Sequence, residues 1–306
     1  MDIMNYSQKE SRCEVTFEKN GPFWHLCTPG QQTEILCESE QDYKFCVNLI
    51  AIAAAVAGVI VVTFEVMSNH IHVVLAGPES QCHEFFRYYK DKLKRYYSQS
   101  GRYKDLTGFT HQLIPITTLE MIRVEIPYTN RNAYVACDKY TPFSYPWGSG
   151  SLYYNTALIA IPGIPYEMLK NREQREICQG RVITLPTNYK VYDGMILPGS
   201  FCAYKLGESM FRDAHHYFTA ISKNAEAYSE VAKRLGDSIF LTDDEMFGTL
   251  VHLSRKDYGE QRPAMLPQNA KLALARRIKS DYNASPGQIQ RMLRLDPAVV
   301  TELFGK

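Results

Sequence analysis

The chain has 306 residues, of which 45% are hydrophobic and 22% charged, a composition that suits a folded globular protein and excludes a mainly disordered chain or a coiled coil. Its 34 Lys and Arg balance 33 Asp and Glu for a net charge of +1, so any argument for nucleic-acid binding has to come from local patches. The length suits two domains and a small third module at ~100–200 residues per domain.

Residues 21–27, GPFWHLC, read as a short strand closed by Pro29-Gly30. Residues 42–57 read as a helix with its apolar face inward. The uncharged run LIAIAAAVAGVIVV at 49–62 falls short of the ~20 apolar residues a membrane span needs. Gly58 divides it into an Ala-rich helical half and a β-branched strand, so no membrane association is expected. Strands are predicted at 59–66 and 71–75 with a turn at 67–69, then a basic helix at 81–97. An edge strand is expected within 108–116 and a mostly helical stretch at 118–135. Pro142, Pro146, Gly148 and Gly150 mark a loop, and a domain boundary is placed near Tyr154. The organisation expected is therefore a domain over 1–154, a mostly helical region of unassigned role over 155–260, and a module over 261–306. In the last, Ser285, Pro286 and Gln288 form a capping-box start for a helix at 286–293. Asp296-Pro297 opens another at 298–304. Two short helices joined by a tight turn make a helix-turn-helix candidate, with Arg291 and Arg294 flanking the turn as DNA contacts; an ordinary helical hairpin has the same pattern.

The eight cysteines include no Cys-x-x-Cys pair, which argues against a zinc ribbon or a thioredoxin-like site. With no apolar leader segment in MDIMNYSQKESR, they read as reduced thiols of a cytoplasmic protein.

Chemistry concentrates in MSNHIHVVL at 67–75. In a strand, residues i and i+2 share a face, so His70 and His72 present two imidazoles side by side, half of a divalent-cation site or simply two polar groups on a wet face. Tyr128 and Asn132, four apart in a helical stretch, face one way. The Asn132 amide oxygen could complete a ligand set, and a phenol beside a cation-held phosphate becomes a competent nucleophile; the alternative is a core tyrosine and a helix-capping asparagine. Pro127, directly before Tyr128, either starts a helix or kinks one.

The segment 67–75 resembles the His-hydrophobic-His strand of single-tyrosine (Y1) transposases of the HUH endonuclease superfamily. YTNRNA at 128–133 followed by YPWGSG at 145–150 is similar to the tyrosine helix and following loop of the REP-associated tyrosine transposases. The resemblance spans roughly residues 20–155. It implies an α+β fold, a ferredoxin-like antiparallel sheet with helices on one face and the tyrosine helix laid across it, and a helix-turn-helix also ends some relatives. It further implies His70, His72 and Asn132 as ligands of Mg²⁺ or Mn²⁺ and Tyr128 as the nucleophile. The activity implied is cleavage and rejoining of single-stranded, hairpin-bearing DNA through a 5′-phosphotyrosine, by a monomer or a homodimer. No GxxxxGK[ST] loop is present, and no nucleotide cofactor is expected. The alternatives are a catalytically silent DNA-binding regulator on the same scaffold, or another HUH nickase or replication initiator.

DNA contact is expected from the basic helix and its tail. Between His83 and Lys104 seven cations (Arg87, Lys90, Lys92, Lys94, Arg95, Arg102, Lys104) face Glu84 and Asp91, a net +5. Tyr88, Tyr89, Tyr96, Tyr97 and Tyr103 interleave with them. Cations for the backbone and rings for the bases suit a single strand; a solvated helix with a tyrosine core face has the same pattern. Arg131, beside the candidate nucleophile, is a candidate phosphate contact.

Overall fold

The computed structural model describes residues 5–29, 35–136, 140–155, 162–222, 243–260, 262–282 and 284–304. The chain divides into two units, one formed by 1–134 with 139–222 and the other by 135–138 with 223–306. The boundary expected near Tyr154 therefore falls inside the first unit.

In the first unit a helix α1 (Tyr6–Asn20) precedes β1 (Phe23–Cys27), α2 (Glu40–Ala57), β2 (Ile60–Val66), β3 (Ile71–Ala76), α3 (Glu79–Gln99), β4 (Gln112–Ile116) and α4 (Leu119–Ala136). The four strands form one antiparallel sheet in the order β2-β3-β1-β4. This βαββαβ order is the ferredoxin-like arrangement. The long apolar run resolves as the sequence suggests. α2 ends at Gly58, whose φ of +71° is the left-handed turn a glycine adopts without strain, and β2 begins at Ile60. Among the described residues no helix is long and apolar enough to cross a membrane.

β3 is buried along its whole length, so both faces of the sheet are covered. α2 and α3 pack on each other and share one apolar core with Leu26, Phe64, Val73 and Leu75. α4 crosses the opposite face. The outer edge of β2 is closed by the segment after α4: Ser149 N–H donates to the Phe64 carbonyl (3.0 Å) and Val66 N–H to the Trp147 carbonyl (2.9 Å). Lower down the strand, the Tyr153 hydroxyl donates to the Val62 carbonyl (3.0 Å).

Two parts of this unit depart from the sequence reading. α1 has a capping box between Asn5 and Gln8 but buries only Cys13, so it shows no apolar stripe to read. The region after Tyr154, expected to be mostly helical, opens with a second antiparallel sheet, β5 (Ile164–Pro165), β6 (Lys190–Tyr192) and β7 (Met195–Ile196). Its strands are too short to show a two-residue period. That sheet docks on α2 through Asn48, whose amide donates to the Gly194 carbonyl (2.9 Å) and accepts from Ile196 N–H (2.6 Å). Helices α5 (Asn171–Cys178), α6 (Pro198–Phe201), α7 (Tyr204–Glu208) and α8 (Ala214–Ile221) complete the unit.

The second unit consists of α9 (Asp243–Tyr258), α10 (Gln268–Tyr282), α11 (Pro286–Leu293) and α12 (Pro297–Phe304), each packed on the next. Ser285 caps α11 in a capping box with Gln288, as expected, and α11 ends at Arg294 in the left-handed region. Three residues then lead into α12.

Candidate active site

Register places the polar residues of the sheet on one face. His72 on β3 lies opposite Cys27 on β1 and Glu65 on β2, and cross-strand partners project to the same side. His25, two residues before Cys27, shares that side. α4 runs over this face and is tied to it at three points. Glu125 Oε2 lies 2.7 Å from His25 Nδ1. The Thr63 hydroxyl donates to Asn130 Oδ1 at 2.5 Å. Ala133 N–H donates to Glu65 Oε1 at 2.5 Å. α4 continues through Pro127 without ending there.

Between these anchors Tyr128 meets the histidines. The His70 and His72 ring centroids are 5.1 Å apart at 87°, and the His72 and Tyr128 rings are 5.5 Å apart at 83°. His25 stands 6.0 Å from Tyr128 and 5.3 Å from His72. Its Nε2 is 3.1 Å from His72 Nδ1. His70 Nδ1 is 2.8 Å from Asn69 Oδ1. His25, His72 and Glu125 are fully buried, while Tyr128 is 7% and His70 8% exposed. Burial also pushes the Glu65 carboxyl well above the usual carboxylate range, against the single backbone bond from Ala133. Asn132 sits one turn beyond Tyr128 on α4 and is half-buried. Among the described residues no three His, Cys, Asp or Glu side chains converge as a cation site. The donors that the structure brings together are two adjacent imidazoles, a ligand type that suits a divalent cation with oxygen ligands at its remaining positions.

The sequence reading did not find His25 or Glu125. Glu125 carried a usable signal, since it lies three residues before Tyr128 and so shares its side of the helix. His25 carried none, being a lone histidine in an apolar strand.

The basic helix separates into two faces. Phe85, Phe86, Tyr89, Leu93, Tyr96 and Tyr97 are buried. Tyr97 is thus a core residue rather than a stacking surface, and its hydroxyl donates to the Leu36 carbonyl (2.5 Å). Arg87 is exposed but held by Glu84 (2.8 Å) and faces Asp91 (3.7 Å). Lys104 pairs with Glu38 at 2.5 Å. Lys94 and Arg95 are exposed and Lys90 is half-buried. Lys90, Lys94 and Lys104 line a cleft of about 550 Å³ with Tyr103, which is 89% exposed. Arg131 is buried on α4, three residues beyond Tyr128. In the second unit Arg291 and Arg294 are both exposed.

No family model and no curated protein matches the chain. A solved structure of a REP-associated tyrosine transposase bound to a REP hairpin is similar to it with a TM-score of 0.33 and 12% identity, covering 57% of this chain and 94% of that one.

Proposed function

We propose that the chain is a metal-dependent DNA strand transferase that cuts and rejoins single-stranded, hairpin-bearing DNA. The observation that carries this reading is the Tyr128 ring set against His72, whose own ring neighbours His70, on one buried polar face. The Tyr128 oxygen attacks the phosphorus of a phosphodiester in line. A Tyr–O–P bond forms, the P–O3′ bond breaks, and the 3′-oxygen leaves as a hydroxyl, giving a 5′-phosphotyrosine. Attack by another 3′-hydroxyl reverses the exchange and rejoins strands. His70, His72 and Asn132 are the residues that would hold Mg²⁺ or Mn²⁺. The cation, when bound, neutralises charge on the phosphoryl oxygens. The anchors of α4 at Thr63, Glu65 and His25 keep the phenol aimed, and the closed face limits competing attack by water. Lys90, Lys94 and Arg95 bind the phosphate backbone, with Tyr103 stacking on a base; Arg291 and Arg294 supply a second contact from the α11–α12 pair.

The small exposure of Tyr128 and His70 favours a second reading, a DNA-binding regulator without chemistry. A cleavage assay separates the two. Incubated with an end-labelled hairpin oligonucleotide and Mn²⁺, the enzyme yields a shortened labelled strand that disappears with EDTA and with His70→Ala. A regulator binds the oligonucleotide, ignores EDTA and cuts nothing. A nickase or replication initiator shares the chemistry and is distinguished by cutting an origin-like site without a hairpin.

A further inference from the structure

We propose that Asn69, His25 and Glu125 are positioning residues that fix the ring tautomers of His70 and His72; this rests on the reading of that pair as cation ligands. Imidazole binds a metal only through a nitrogen that carries no proton, and the bond made by the other nitrogen decides which one that is. Both rings of the pair are engaged at Nδ1. His70 Nδ1 lies 2.8 Å from Asn69 Oδ1, an oxygen that can only accept, so His70 Nδ1 carries the proton. His72 Nδ1 lies 3.1 Å from His25 Nε2, and His25 Nδ1 lies 2.7 Å from Glu125 Oε2.

The His72 arm is a chain with a direction. An ionised Glu125 accepts from His25 Nδ1–H. His25 Nε2 is then the acceptor for His72 Nδ1–H, and His72 is left with its lone pair on Nε2. The proton order with His25 as imidazolium would place a proton on His72 Nε2 and close that ring to a cation. All three members of the chain are fully buried, so water does not exchange for any of them. The chain also spans three elements, β3, β1 and α4. It therefore sets the His72 ring by the same bond that seats the helix carrying Tyr128. A group bonded to the far nitrogen of a metal-binding imidazole holds that ring in register, and losing it weakens metal binding roughly 10–100-fold; for His72 that group is His25, which Glu125 orients in turn.

The test uses the full chain labelled with ¹⁵N-histidine and free of metal. Long-range ¹H–¹⁵N correlation reads each ring directly. The expected result is a protonated Nδ1 and a bare Nε2 on both His70 and His72. A protonated Nε2 on His72 overturns the proposal. Glu125→Gln, which keeps size and an accepting oxygen, is expected to lose the single His72 tautomer and to weaken Mn²⁺ binding roughly 10–100-fold, read by electron paramagnetic resonance titration with a hairpin oligonucleotide present. Unchanged Mn²⁺ affinity in a folded Glu125→Gln protein also overturns it. Should the wild-type chain show the stated tautomers and take up no Mn²⁺, the positioning relay stands and the cation-site reading falls, so the two failures are distinct.

Discussion

Asp42 is fully buried, and burial by itself works to raise its carboxyl. Arg102 closes a two-point pair on it (2.7 and 3.0 Å), and the Tyr96 and Ser39 hydroxyls donate to it as well, holding it well below the usual carboxylate range. Removing the cation leaves the buried carboxylate with its hydroxyl and backbone N–H donors alone, and the Arg102 side chain is itself 34% exposed, so Arg102→Ala is expected to cost about 1–3 kcal/mol in denaturant unfolding. Arg87→Ala, which breaks only exposed pairs, is expected to leave the unfolding midpoint close to that of wild type. Glu10 supplies the acid limb. Arg123 first, then Arg212, lowers its carboxyl from 4.5 to about 2. A lowered acid stabilises the fold in full above its unfolded value and loses that contribution as pH falls. Glu10 therefore stabilises fully above about pH 4.5 and progressively less toward pH 2. The Glu10→Gln variant is expected to show a flatter stability profile across that window. At this scale spacing and residue type single out His70, His72 and Tyr128, and the structure brings the Tyr128 ring against His72 and His72 against His70. The sequence could not announce Glu10, whose partners lie more than 100 residues away, nor that Tyr97 and Arg131 turn inward. Side-chain facing at neighbouring helix positions is decided by what packs over them.

Helix α3 shows how a charge pattern read as one surface is in fact partitioned. Its tyrosines mostly belong to the core, and Arg87 and Lys104 spend their charge on Glu84 and Glu38. That leaves Lys90 and Lys94 along the cleft beside Tyr103. Each cation that neutralises a phosphate of single-stranded DNA adds about 0.7 to the steepness of log K against log salt. The double variant Lys90→Ala with Lys94→Ala is therefore expected to bind an unpaired oligonucleotide more weakly, with a slope shallower by about 1.4. Arg87→Ala is expected to leave the slope close to that of wild type, and a slope unchanged by the lysine pair would remove the cleft from the interface. The strong elements were legible because their causes are local. Gly58 stops α2, the Asn69 turn joins β2 to β3, and Ser285 starts α11. α1 and the β5–β7 sheet were not, since a nearly all-polar helix and strands of two or three residues have no periodicity; both are held by distant partners such as Asp213 and Asn48.

At the scale of the molecule, the strand order β2-β3-β1-β4 puts the histidine strand in the middle of the sheet and leaves one face for α4. The ferredoxin-like sheet was implied by the resemblance rather than by any residue pattern, and the topology agrees with it. The first boundary falls elsewhere because chain beyond Tyr154 reaches β2, where Ala203 N–H donates to the Val61 carbonyl (2.7 Å), and docks on α2 through Gly194 and Ile196, binding it into the first unit. The proposed reaction requires that the Tyr128 oxygen take up a DNA 5′-phosphate. The direct measurement is mass spectrometry of proteolytic peptides after the purified chain has reacted with a hairpin oligonucleotide and Mn²⁺. The expected result is one peptide, containing Tyr128, heavier by a 5′-phosphorylated fragment, and its absence in Tyr128→Phe. A fragment attached to a different residue, an adduct that survives Tyr128→Phe, or cleaved DNA with no adduct at all would contradict it.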